Sequence, residues 1–243
     1  MTRSPGNGTA AGPTGAPGSF LSTEQGNDTG DHARPEPQAG SSRPRRTEGR
    51  PIRVIPAEGR TLRAIGFDDA PFSRGRRGQV GVAGVVCAGT RFEGLVWGRV
   101  RQDGWNATAV LVDLLAHGKF LPQLHLVLLD GITLGGFNVV DLPALAAALA
   151  RPCLAVMRRP PDLAAVEAAV RRLPRPGQRL ALLRRAGPVH RSGEFVFQVQ
   201  GAGPDEAAEA LARLTDRGAV PEPLRLAHLV GAAISTGESG RRA

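Results

Sequence analysis

The chain has 243 residues and a formal net charge of +9. A surplus of that sign invites a polyanionic partner. However, Lys119 is the only lysine, and the bias to alanine, glycine and arginine is what nucleotide composition acting on codons produces. Tyrosine is absent and aromatics are 4%, which argues against an extended base-stacking surface of the single-strand-binding type. No apolar run approaches the roughly 18 residues of a membrane span. Cys87 and Cys153 both sit in apolar runs and read as buried thiols of a reducing, cytoplasmic compartment.

Residues 1–50 are crowded with Gly, Pro, Ser and Thr, and Phe20-Leu21 is their one sustained apolar pair, which places a tail over residues 1–55. Such a stretch cannot bury enough surface to offset its ordering entropy, so it is expected to be a disordered tail. Six arginines against five acids leave +1 on the first fifty residues and +8 on the remainder. Residues 56–236 are expected to form a single domain, and 237–243 a second loose end.

Within the domain, 62–69 reads as a strand ending in Asp68-Asp69. A basic turn at 73–78 leads to a Val- and Gly-rich strand at 79–88, then a third strand at 91–102. The short gaps predict an antiparallel meander. A helix follows, with apolar positions Ala107, Val110, Leu111, Leu114 and Leu115 and Asn106 as its N-cap. Leu126-Val127-Leu128-Leu129 has the length of a buried strand and ends abruptly in Asp130-Gly131. Asp141 and Asp162 are expected to cap two more helices on either side of a strand at 153–157. A short helix at 176–186, a strand at 195–200 and helices at 203–214 and 221–234 complete the chain. The pattern predicts an α/β fold: a mixed sheet, antiparallel in its first three strands and parallel after them, with helices packed on it.

An acid pair ending the first strand, an acid-Gly ending the fourth and a polar residue on the last helix is the arrangement of ribonuclease H-like nucleases. Four strings go further. Ala64-Ile65-Gly66-Phe67-Asp68-Asp69-Ala70-Pro71-Phe72, residues 129–141 (LDGITLGGFNVVD), Val156-Met157-Arg158-Arg159-Pro160-Pro161-Asp162, and Pro221-Glu222-Pro223-Leu224-Arg225-Leu226-Ala227-His228 together resemble the endonuclease dU family, relatives of endonuclease V. The resemblance spans roughly residues 60 to 235. It implies a ribonuclease H-like fold and a divalent-metal-dependent endonuclease, with Mg²⁺ or Mn²⁺ as cofactor, acting on DNA with deaminated bases such as uracil or hypoxanthine. By position it implies that Asp68 and Asp130 hold the metal and that His228 stands near it. Asp103 is the candidate for a further carboxylate between the third strand and the first helix. The family more often shows an acid where Asn106 stands, so this chain lacks one carboxylate there.

The residue types suit that chemistry. Phosphodiester hydrolysis needs an activated water and a neutralised leaving oxygen, and Mg²⁺ serves both through hard oxygen ligands. His228 is a poor Mg²⁺ ligand by type and suits proton transfer, water orientation or Mn²⁺. Arg158, Arg159 and Arg225 are candidate phosphate contacts. Phe137 and Asn138 are candidates to stack on and pair with an extruded base. Adjacent strand residues point oppositely, so only one of Asp68 and Asp69 is a ligand, and Asp68 is favoured. Glu222 reads as helix-start charge complementing the dipole. Two other readings stay open: a nucleic-acid-binding relative without catalysis, and a small-molecule phosphohydrolase. A groove bearing Arg99, Arg101, Arg158 and Arg159 would point to a polymer such as DNA or RNA, a closed pocket to a small molecule.

Overall fold

The computed structural model of the chain describes residues 52–73 and 78–239. Most of the N-terminal tail, residues 74–77 of the basic turn and the last four residues lie outside them. β1 (Arg63–Asp69), β2 (Gln79–Ala88) and β3 (Arg91–Arg101) form the expected antiparallel meander. β4 (Leu126–Asp130) and β7 (Cys153–Met157) run parallel to β1, with a two-stranded hairpin, β5 (Thr133–Leu134) and β6 (Asn138–Val139), and helix α2 (Leu142–Leu149) between them. Beyond β7 the direction reverses: β9 (Phe195–Gln200) pairs antiparallel with β7, and β8 (His190–Ser192) antiparallel with β9. The seven-stranded order is β3-β2-β1-β4-β7-β9-β8, a ribonuclease H-like mixed sheet.

The apolar parity of the strands dictates two layers of helix. Ile65, Phe67, Val127, Leu129, Cys153 and Ala155 face α1 (Ala107–Ala116) and α2 on one side. Ala64, Leu126, Leu128, Leu154 and Val156 face α5 (Pro204–Arg213) and the start of α6 (Glu222–Thr236) on the other. α3 (Leu163–Val170) and α4 (Pro176–Arg185) fill the connection from β7 to β8. Both cysteines are buried and unpaired, and burial pushes the Cys87 thiol up to about 12. Among the described residues no helix is long and apolar enough to cross a membrane.

Asp141 and Asp162 cap their helices as expected, accepting from Ala144 N–H at 3.3 Å and Ala165 N–H at 3.0 Å. Two local expectations are corrected. The tail does not extend to residue 55: Ile55 is buried and Arg53 N–H donates to the Ala150 carbonyl, so residues 52–55 pack on the domain. Asn106 stands at the N-cap of α1, but its side chain does not cap the helix. Its Oδ1 accepts from Arg101 N–H and from Asn138 Nδ2, and Asn138 Oδ1 takes the Ala107 amide instead.

A candidate carboxylate centre at the ends of β1 and β4

β1 and β4 are parallel neighbours, with Phe67 opposite Leu129, so their C-terminal acids Asp68 and Asp130 lie side by side. The C-terminal edge of parallel strands is where open α/β sheets gather ligands. Strand parity then sends the two adjacent acids of β1 to different sides. Asp68 follows Ala64 and Gly66 toward α6, where its Oδ2 lies 2.8 Å from His228 Nδ1. Asp69 follows Ile65 and Phe67 to the opposite side, where it accepts the Gly135 N–H.

Gly66 sets how close α6 comes. A Cβ at that position would stand 2.5 Å from the Pro223 carbonyl carbon and 2.7 Å from Leu224 N. Only hydrogen fits, so the first turn of α6 presses on β1 and carries His228 over Asp68. Across from it, Gly131 turns the chain away from Asp130 at φ +80°, a conformation that favours glycine.

Asp68, Asp69, Phe72, Asp130 and Arg158 line an open cleft with two overlapping lobes of about 450 and 420 Å³. His228 borders the first lobe, and Thr133, Gly136 and Arg159 border the second. A larger hollow of about 750 Å³ lies at the other end of the sheet, where Arg53 and Arg151 donate to backbone carbonyls among Leu121, Pro122 and Ala150. No carboxylate lines it, which leaves the acidic cleft as the candidate site.

Asp68 is 5% exposed, and burial followed by the Asp130 charge raises its pKa from 3.8 to about 7, against the pull of His228. Burial also raises Asp69, opposed by the Gly135 amide, and raises Asp130, opposed by Arg158. Crowded acids in this condition gain from a cation that relieves their repulsion. Among the described residues no three His, Cys, Asp or Glu side chains converge to enclose a metal ion by themselves. Two carboxylates nonetheless suit Mg²⁺, which keeps several of its waters.

The sequence expectations divide. Asp68, Asp130, His228, Arg158 and Arg159 come together at the cleft, with Arg158 3.9 Å from Asp130 and only half buried. Asp103 lines neither lobe: it turns at φ +50° and its Oδ1 accepts the Phe137 N–H at 2.8 Å, so it braces the β5–β6 loop. Asn138 is fully buried with both amide atoms spent on Ala107, Arg101 and Asn106, so no base can pair with it. Phe137 is partly buried, its backbone held by Asp103 and Arg179. Arg225 is engaged by Glu222 at 2.8 and 2.9 Å, toward Cys87 on β2, away from the cleft. Arg99 and Arg101 do not line the cleft either.

Sequence reasoning missed Arg179. It is 1% exposed, and its guanidinium donates to the Asp103, Gly104 and Phe137 carbonyls. An arginine in the polar-rich string PGQRLALLRR offers no pattern that marks it as buried.

Sheet order, paired acids on adjacent parallel strand ends and a histidine on the closing helix define a nuclease-like α/β protein of ribonuclease H-like fold. Residues 60–235 match the family model described as endonuclease dU, and the chain belongs to that family. A UPF0215 protein of Deinococcus radiodurans is 42% identical over 190 residues, covering 78% of this chain and 97% of that one. Another from Thermococcus gammatolerans is 40% identical over 185 residues, covering 73% and 94%. The crystal structure of a protein of unknown function from Archaeoglobus fulgidus, 35% identical, superposes with a TM-score of 0.68 over 71% of this chain and 98% of that one.

Proposed function

We propose that the protein is a divalent-metal-dependent endonuclease that hydrolyses phosphodiester bonds in DNA at or near deaminated bases. The observation that carries the reading is the side-by-side placement of Asp68 and Asp130 in an open cleft, with raised pKa values and His228 on Asp68. Asp68 and Asp130 are the residues to hold Mg²⁺ or Mn²⁺, whose charge serves to acidify water and to neutralise the leaving oxygen. His228 Nδ1 fixes the orientation of the Asp68 carboxylate, which leaves Nε2 for proton transfer. Arg158 and Arg159 supply guanidinium donors for phosphate at the rim. Asp69 ties the Gly135 amide and so holds the loop that walls the cleft. An open cleft with arginines at its edge accommodates a polymer better than a small phosphorylated molecule. The family description, endonuclease dU, supports a strand carrying deoxyuridine, and hypoxanthine is the second altered base we propose.

One observation favours a second reading, a nucleic-acid-binding relative that does not cleave. Asn106, where the family resemblance implies an acid, is turned into a hydrogen-bonded pair with Asn138. A nicking assay separates the two. Labelled duplex and single strands, each with one uracil, one hypoxanthine or neither, are incubated with Mg²⁺, Mn²⁺ or EDTA and wild-type or Asp130→Asn protein. Metal-dependent breaks near the altered base, lost in Asp130→Asn, are expected. Binding without cleavage under either metal would establish the second reading. Cleavage indifferent to the base would remove the damage specificity.

A further inference from the structure

With Asn138 buried and Phe137 clamped, the base-contacting aromatic must be sought elsewhere around the cleft. Trp105 is 42% exposed, in the turn between β3 and α1. The exposed indole is held in place from beneath. The Arg179 guanidinium carbon lies 4.3 Å from its ring centroid, and that arginine is itself fixed by the Asp103, Gly104 and Phe137 carbonyls. The indole therefore has one face on a buried cation.

The same network leads to the cleft. Gly136, which borders the second lobe beside Asp69 and Asp130, abuts Asp103: a Cβ there would stand 2.4 Å from Asp103 Oδ1. Asp103 in turn shares Arg179 with Trp105. Trp105 thus stands just beyond the loop wall of the carboxylate cleft, with the exposed Arg101 at the end of β3 packed beside Gly104. A planar, rigid, half-exposed ring with cationic neighbours is chemically matched to a nucleobase on a polyanionic strand.

We propose that Trp105 is a stacking platform for one unpaired or extruded base of the bound strand, held in place by Arg179. This rests on the nucleic-acid reading above. It differs from an extended stacking surface, which the 4% aromatic content argues against.

The chain has two tryptophans, Trp97 and Trp105, so Trp97→Phe makes Trp105 the sole indole reporter, and the wild type minus Trp105→Phe gives the same signal should Trp97→Phe fold poorly. Each protein is titrated in EDTA with a fluorescein-labelled single strand carrying one uracil, reading anisotropy for binding and an unlabelled copy for indole emission. The expected result is quenched Trp105 emission on saturation and an affinity weakened roughly 5- to 150-fold in Trp105→Ala, with Trp105→Phe keeping most of it. Strand binding with unchanged Trp105 emission and unchanged affinity in Trp105→Ala would overturn the platform and leave the nucleic-acid reading intact. No binding by the wild type would overturn both.

Discussion

Asp68 is the residue on which the electrostatics of the cleft turn. Its pKa stands near 7 in the folded protein and 3.8 in an open chain, chiefly because it is buried. Between those values the folded state binds more protons than the unfolded one. Its stabilising contribution is complete below the lower value and is lost as pH rises through the upper. Asp69 and Asp130 shift in the same direction. Metal-free protein is therefore expected to melt at a higher temperature at about pH 5 than at about pH 8, with part of that slope removed in Asp68→Asn, as scanning calorimetry in EDTA would read. A flat profile in the wild type would mean the acids are not crowded. His228→Ala leaves Asp68 without its side-chain partner, and loss of such a supporting bond typically lowers metal affinity or activity about 10- to 100-fold. Cleavage rates of His228→Ala against wild type test this.

At the scale of elements, two contacts position the site. The first is α6 on β1 through Gly66. Gly66→Ala forces Pro223 and Leu224 outward by the backbone itself, an overpacking expected to cost about 1–3 kcal/mol and to move His228 off Asp68. Denaturant unfolding gives the first effect, and the drop in cleavage the second. The second contact is Arg179 under the β5–β6 loop. Arg179→Met leaves three carbonyls without that donor, at about 1–3 kcal/mol for each buried group left unsatisfied. Amide exchange at residues 135–138 is expected to quicken in that variant, and unchanged protection would show that Asp69 and Asp103 hold the loop alone.

These contacts mark where the sequence stops being legible. β2, β7 and β9 were readable to the residue because apolar runs bounded by turn residues carry their own limits. Asp68 and Asp130 were readable because each ends such a run. The β5–β6 hairpin is two residues long on each side, too short for any periodicity to register. Asn138 looked like a free amide beside two glycines, yet long-range partners at Arg101 and Asn106 bury it. Asp103 looked like a ligand, yet its carboxylate serves the Phe137 amide. A single sequence shows which side chains are polar, not which backbone atoms they will meet from thirty or more residues away.

For the molecule as a whole, the fold supplies a cleft, two carboxylates, a histidine and arginines, and a metal-dependent nuclease requires that cleft to take a divalent cation. Isothermal titration of Mg²⁺ and Mn²⁺ into the metal-free protein tests it most directly, with Asp68→Asn/Asp130→Asn beside it. The expected result is saturable binding in the wild type, abolished in the double variant. Its heat should depend on the buffer, because Asp68 gives up its proton to become a ligand near neutral pH. No saturable heat with either ion, or equal binding by the double variant, would contradict a metal-dependent nuclease built on these two acids.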